Sequence, residues 1–253
     1  MKKNNNRKPI FKFIKQESMI LAKKNRILAV LMAVAVVTGL SSCLKNNNNP
    51  APEAFTYAFF ANLATPTYKI SVFQNNADLL GGEGMEFGTV RAGRLKPGPA
   101  KFDFKRLGSD TLLSSYNTTL DTLRYFSTFI YGSQTSGVET YHFREDFSNN
   151  STSKAHVRFF NMVEGSEPVD FYIGETKLSS SRMYEDFLSG SYNSFTQIDP
   201  NEVSITVKNA AGTELAKISN VSLAVAGGVY TVVYAGTQGD TGNRKPAIKT
   251  FSH

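Results

Sequence analysis

Two stretches of this chain share one skeleton about a hundred residues apart, and that repetition limits its possible folds more than any other feature. Pro97 is followed five and seven residues on by Phe102 and Phe104, and Pro200 at the same offsets by Ile205 and Val207. Phe126-Ser-Thr-Phe-Ile-Tyr-Gly132 then matches Tyr230-Thr-Val-Val-Tyr-Ala-Gly236, so proline to glycine is 35 residues in one copy and 36 in the other. Phe59-Phe60 opens the first copy and Phe159-Phe160 the second, and each ends with one further strand, Val138 to Phe143 and Ala247 to Phe251. Each copy is close to ordinary domain size. The expected organisation is therefore a first module over 54–147, a Ser/Asn linker over 148–154 and a second module over 155–253.

Within the copies, short runs alternate apolar and polar with period two, as in Tyr68-Lys-Ile-Ser-Val72, Lys101-Phe-Asp-Phe-Lys105 and Val203-Ser-Ile-Thr-Val-Lys208. Strict alternation marks strands with one buried and one solvated face, as in antiparallel sheets stacked on one another. The fold class that follows is all-β, with two tandem Ig-like or transthyretin-like antiparallel β-sandwiches. After the N-terminal segment nothing sustains a 3.6 period; Arg182 to Leu188 has room for one helical turn.

The N-terminal segment sets the address. A basic head at Lys23-Lys24-Asn25-Arg26 precedes an apolar run from Ile27 to Leu40. At helical rise that run spans about 21 Å, short of the ~30 Å hydrocarbon core that a permanent membrane helix must cross. A cleaved signal of 1–42 fits better. Its exit, Leu40-Ser41-Ser42-Cys43, resembles the lipobox of bacterial lipoproteins. The resemblance implies that Cys43 is the lipidation site, acylated and left as the new N-terminus, and several acyl chains anchor far more firmly than one. Met19, four residues before Lys23, is a second candidate start. Polar, proline-bearing residues 43–53 read as the lipidated cysteine and a disordered tether. Lys and Asn stand after Cys43 where some surface-exported lipoproteins carry acidic residues, so the expected location is the cell envelope, lipid-anchored to the outer membrane, with the periplasmic face favoured over the cell surface as the alternative.

Charge then excludes one class of partner. Nine of the 28 basic residues and one of the 21 acidic residues precede Cys43, leaving 19 and 20 in the remainder. The pI of 9.3 thus belongs to the discarded segment, and no basic excess persists for nucleic acid. Cys43 is the single cysteine, so the modules hold together without disulfides.

The second copy carries Ala155-His-Val-Arg-Phe-Phe-Asn161, Pro168-Val-Asp-Phe-Tyr-Ile173, Gly190-Ser-Tyr192 and Ala226-Gly-Gly-Val-Tyr-Thr-Val-Val-Tyr-Ala-Gly236. These runs resemble the domain-of-unknown-function family 4397, which is common in bacterial envelope proteins, often as tandem β-sandwich modules. The resemblance covers about 155–236. The first copy fits it more loosely, with Asn62 one residue late and Tyr68-Lys69-Ile70 replacing Val-Asp-Tyr. It implies a fold and an address but no activity.

No constellation supports catalysis, a metal or a cofactor. His142, His156 and His253 are far apart in sequence, and no G-x-S-x-G, H-E-x-x-H or phosphate-cradling pattern occurs. Gly81-Gly82-Glu83-Gly84 reads as a strand connection. Glu145-Asp146 and Glu185-Asp186 are adjacent pairs whose members point to opposite faces of a strand, and solvated charge is the expectation for both. Arg182 to Phe195 gathers the aromatics Tyr184, Phe187, Tyr192 and Phe195 into a connection between strands, a candidate ligand-binding surface whose alternative is closure of the core. Asp110-Thr111-Leu112 and Asp121-Thr122-Leu123 resemble the O-glycosylation acceptors of some Gram-negative lineages, with Thr111 and Thr122 as the acceptors. The reading that follows is a non-catalytic envelope lipoprotein binding a protein or glycan. A structural, adhesive or pilus-associated subunit is the alternative, and a hydrolase has no supporting residues.

Overall fold

The structure, a computed structural model, describes residues 53–253; the signal, both candidate starts, Cys43 and all of the tether but Glu53 lie outside the described residues. Strands of the first half are β1 (Thr56–Asn62), β2 (Ile70–Gln74), β3 (Ala77–Asp78), β4 (Thr89–Leu95), β5 (Gly98–Arg106), β6 (Leu112–Leu120), β7 (Tyr125–Ser133) and β8 (Gly137–Arg144). Those of the second are β9 (Ala155–Glu164), β10 (Val169–Ile173), β11 (Thr176–Arg182), β12 (Thr196–Ile198), β13 (Asn201–Asn209), β14 (Glu214–Leu223), β15 (Val229–Thr237) and β16 (Ala247–Ser252), with a 3-10 turn at Asp186–Ser189. They form four four-stranded sheets, ordered β3-β2-β5-β6, β4-β1-β7-β8, β12-β9-β15-β16 and β11-β10-β13-β14. The architecture is all-β and sandwich-built. Among the described residues no helix is long and apolar enough to cross a membrane.

The sheets stack in the order just given. One core lies in the first sandwich around Phe60, Phe102, Phe104 and Ile130, and one in the second around Phe159, Phe171, Ile205 and Val232. A third core joins the two inner sheets: Phe59, Ala61, Phe129 and Phe143 meet Phe160, Met162, Val233 and Phe251. The central strands of the inner sheets are therefore buried on both faces. Because of that third core, Ala54–His253 forms one compact unit.

Burial on both faces accounts for the one departure from wholly antiparallel sheets. β1 runs parallel to β7, and β9 parallel to β15; every other pairing is antiparallel. Parallel strands covered on both sides carry continuous apolar runs rather than alternation, which is how Tyr57–Ala61 and Val229–Ala235 read.

Strand register also places the repeat more accurately than spacing does. Ala58 pairs with Phe126 and Val157 with Tyr230, so Ala58 corresponds to Val157, Phe60 to Phe159 and Asn62 to Asn161. Matching Phe59-Phe60 to Phe159-Phe160 is out by one residue. Such a slip would turn every side chain to the other face, whereas Phe60 and Phe159 both face their own sandwich core and Phe59 faces the shared one. Gly132 and Gly236 correspond as well, and both are required. A Cβ on Gly132 would lie 2.2 Å from the Gly137 carbonyl oxygen, and one on Gly236 2.6 Å from Pro246.

Candidate functional site

The two sandwiches close one long side alike and the other side differently. On the first sandwich's closed side, Ser114 of β6 and Thr140 of β8 bring their hydroxyls to 3.0 Å. On the other side a connection must cover the core, and both halves anchor it with the same side chain. Asn62 Nδ2 donates to the Met85 carbonyl (2.9 Å) and Asn161 Nδ2 to the Arg182 carbonyl (3.1 Å). Each amide oxygen accepts from the backbone two residues on, at Ala64 and Val163.

Met85 and Arg182 are thus equivalent positions with different chemistry. Met85 is 0% exposed and packs into the first core with Leu79 and Leu80, while β4 pairs with β1 over seven positions. In the second half β12 pairs with β9 over only three, from Ala155 to Val157. Preceding it, residues 183–195 make a longer excursion over the edge. Glu185 (φ 65°) and Gly190 (φ 72°) bracket the 3-10 turn, both left-handed, which brings the chain sharply over and back.

That excursion builds the site. Arg182 is only 4% exposed, and Asp186 grips its guanidinium through Oδ2 at 2.6 Å and Oδ1 at 3.0 Å, with Oδ2 also taking the Met183 N–H at 3.2 Å. A two-point pair of this kind fixes the plane of the guanidinium. Tyr192 lies over that plane, with the Arg182 Cζ 3.7 Å from its ring centroid, yet remains 40% exposed. A groove of about 290 Å³ runs beside it, lined by Phe159, Leu178, Ser179, Ser194 and Phe195. The Ser179 hydroxyl there is buried and has no hydrogen-bond partner in the protein. An aromatic ring held from beneath, next to hydroxyls, is equipped to stack on a flat apolar ligand face and orient it by hydrogen bonds.

The four aromatics of this connection divide. Tyr192 and Phe195 line the groove. Phe187 is fully buried in the shared core against Tyr131, Tyr141 and Phe160, and half-buried Tyr184 packs against the same core, its hydroxyl pKa pushed up by burial. The candidate acceptors Thr111 and Thr122 are both exposed, just outside the two ends of β6, and lie apart from the groove. Cys43 lies outside the described residues.

Two acidic side chains expected in solvent are instead buried: Asp186, as above, and Glu145. Glu145 receives both terminal nitrogens of Arg158 (2.7 and 2.6 Å) across the junction of the halves, with side-chain exposures of 2% and 1%. Ser127 also donates to Glu145, and Arg158 Nε donates to Thr231 (2.9 Å), whose hydroxyl meets His253 Nε2 at 2.7 Å. Phe143, Phe160 and Phe195 surround the guanidinium. In strand register Ser127 corresponds to Thr231, Glu145 to His253 and Phe59 to Arg158. The junction is therefore a pseudo-twofold in which Arg158 crosses to Glu145 and Phe59 crosses to the His253 ring, 4.8 Å away. Spacing in the sequence gave no sign of this cluster, because its members come from β7, β9, β15 and the ends of the chains leaving β8 and β16. Desolvation lowers the His253 pKa to about 4, which keeps the ring neutral. Among the described residues no group of three or more His, Cys, Asp or Glu stands close enough to hold a metal ion.

No protein-family model matches the chain, and no curated protein matches it. Among solved structures it is similar to CBMbc, a family CBM26 module of Amy13K from Eubacterium rectale crystallised with maltoheptaose. That likeness has 10% identity and a TM-score of 0.25, covering 79% of this chain and 96% of that one. Likeness at that level decides neither fold nor ligand.

Proposed function

We propose that this chain is a non-catalytic cell-envelope lipoprotein, anchored through Cys43 to the periplasmic face of the outer membrane, whose second half binds a glycan in the groove beside Tyr192. The observation that carries the binding reading is the Tyr192 ring, clamped at 3.7 Å on a buried arginine while the residue stays 40% exposed. A pyranose offers an apolar face for such a ring and hydroxyls for the serines around it. The near balance of 19 basic and 20 acidic residues from Cys43 onward favours an uncharged ligand. The signal, the lipobox-like exit and the polar tether support the address, and the resemblance to family 4397 accords with it. Thr111 and Thr122 are the O-glycosylation sites in this reading, and their exposure suits them to it.

A glycan array probed with the full-length chain in detergent micelles tests the binding. Retention of neutral oligosaccharides, weakened about tenfold or more by Tyr192→Ala, is expected, tenfold being about 1.4 kcal/mol. A blank array, or binding indifferent to Tyr192→Ala, overturns it. For the anchor, Cys43→Ala is expected to abolish acyl labelling and release the protein to the soluble fraction. For the acceptors, Thr111→Ala with Thr122→Ala should remove a glycan-dependent gel shift.

A further inference from the structure

A second cavity adjoins the Tyr192 groove, with Ser194 and Phe195 lining both. It measures about 250 Å³ and is walled by Glu145, Asp146, Asn150, His156, Asn193 and Phe195. Two of the residues on its walls carry a buried amide atom with no hydrogen-bond partner in the protein, Asn150 Nδ2 and Asn193 Oδ1. More than nine in ten buried polar groups in folded proteins are bonded, so two orphans in one small cavity call for an explanation.

Their surroundings are otherwise satisfied. Asn193 Nδ2 donates to the Tyr141 hydroxyl (3.0 Å), leaving Oδ1 as the free atom, and the Asn193 backbone carbonyl takes Arg158 Nη1 at 3.1 Å. His156 Nε2 and the Ser151 carbonyl, 2.9 Å apart, hold the segment that carries Asn150. Glu145 is committed to Arg158, while Arg144 and Asp146 carry opposite charges on the same wall, so nothing selects an ion. Among the buried groups of the wall, what remains unmatched is the Asn150 amide NH2 and the Asn193 amide oxygen, in the cavity that the Phe195 ring also lines. A secondary amide is the complement: its carbonyl accepts from Asn150, its N–H donates to Asn193, and its methyl packs on Phe195. Both orphan atoms are shielded from bulk solvent, and the terminal amide torsion that would present them is soft. The cavity has the volume of about eight liquid waters at ~30 Å³ each, room for an acetamido substituent and part of its sugar ring but not for an extended peptide.

We infer that the glycan bound beside Tyr192 carries an N-acetylated amino sugar, whose acetamido group enters the Asn150–Asn193 cavity. This rests on the glycan-binding reading above and names the ligand class for it.

Calorimetric titration of the full-length chain in micelles with N-acetylchitotetraose, cellotetraose and N-acetylalanine methylamide tests it. Cellotetraose has the same backbone without acetamido groups, and the small amide stands for a peptide. N-acetylchitotetraose is expected to bind at least about tenfold tighter than cellotetraose. Asn150→Ala, at a half-buried turn position whose side-chain nitrogen bonds nothing in the protein, should erase that difference while Tyr192→Ala weakens both sugars. Equal affinities for the two sugars overturn the acetamido inference and leave the glycan groove standing. Tighter binding of the small amide than of either sugar overturns it in favour of a peptide. Binding of none of the three overturns the inference and the glycan reading together.

Discussion

The same anchoring asparagine holds a methionine in the first half and an arginine in the second, and that difference separates an apolar plug from an arginine-backed aromatic platform. Met85 completes an apolar core, and the long β4 zips the inner sheet shut behind it. Arg182 has a charge to satisfy, so the chain supplies Asp186 from a 3-10 turn, stacks Tyr192 on the guanidinium, and reaches β12 with three residues left to pair. A duplicated scaffold thus keeps its frame while one connection changes from plug to platform. The frame is shared because the two inner sheets bury each other, with sizes that compensate in strand register: Ala61 answers Phe160, and Phe129 answers Val233.

The largest expected effect breaks the frame both halves share. Glu145→Ala or Arg158→Ala leaves a buried charge without its partner, at a cost of about 3–5 kcal/mol. Chemical denaturation should show one transition moving to lower denaturant; two separate transitions would mean that the halves fold independently. Acid comes next. Burial lowers the pKa values of both His142 and His253 to about 4 from the ordinary 6.5. The unfolded chain therefore binds protons first, and stability, constant above pH 6.5, falls as pH drops from 6.5 through 4. The slope is roughly 1.4 kcal/mol per pH unit per histidine. His142 belongs to the first half, stacked on Tyr116 and Phe126, and His253 to the junction. His142→Gln should remove about half of the slope, measured as the denaturation midpoint against pH.

Smaller changes sharpen the comparison at the anchors. Asn62→Ala and Asn161→Ala should each cost about 1–3 kcal/mol, since each strands a buried carbonyl and a buried N–H, and unequal costs would show that the two anchors are not equivalent. Arg182→Met combined with Asp186→Ala imposes the first half's chemistry on the second. Replacing a buried pair by apolar groups is often neutral or stabilising by about 1–4 kcal/mol. Thermal unfolding should hardly fall while sugar affinity drops about tenfold, because Tyr192 loses its underside.

Much of the frame was legible in the sequence. Period-two runs marked β2, β5 and β13, the Pro-to-Gly spacing marked the repeat, and the brevity of Arg182–Leu188 marked a single helical turn. The parallel pairs and the one-residue register were not, because both depend on a third core that neither module predicts alone. The site was half legible. An aromatic-rich connection pointed to Tyr192 and Phe195, but Phe187 satisfies the same pattern from inside the core. Glu145 and Asp186 looked like solvated charge because their arginine partners are decided by packing; Arg158 lies 13 residues from Glu145 and on another sheet.

Hydrogen exchange with and without N-acetylchitotetraose tests most directly the claim that the second half alone became the recognition half. Slowed exchange is predicted at the amides of residues 190–197 and 149–151, with none at the equivalent plug of the first half, residues 79–92. Protection at 79–92, or none in either half, would contradict the account.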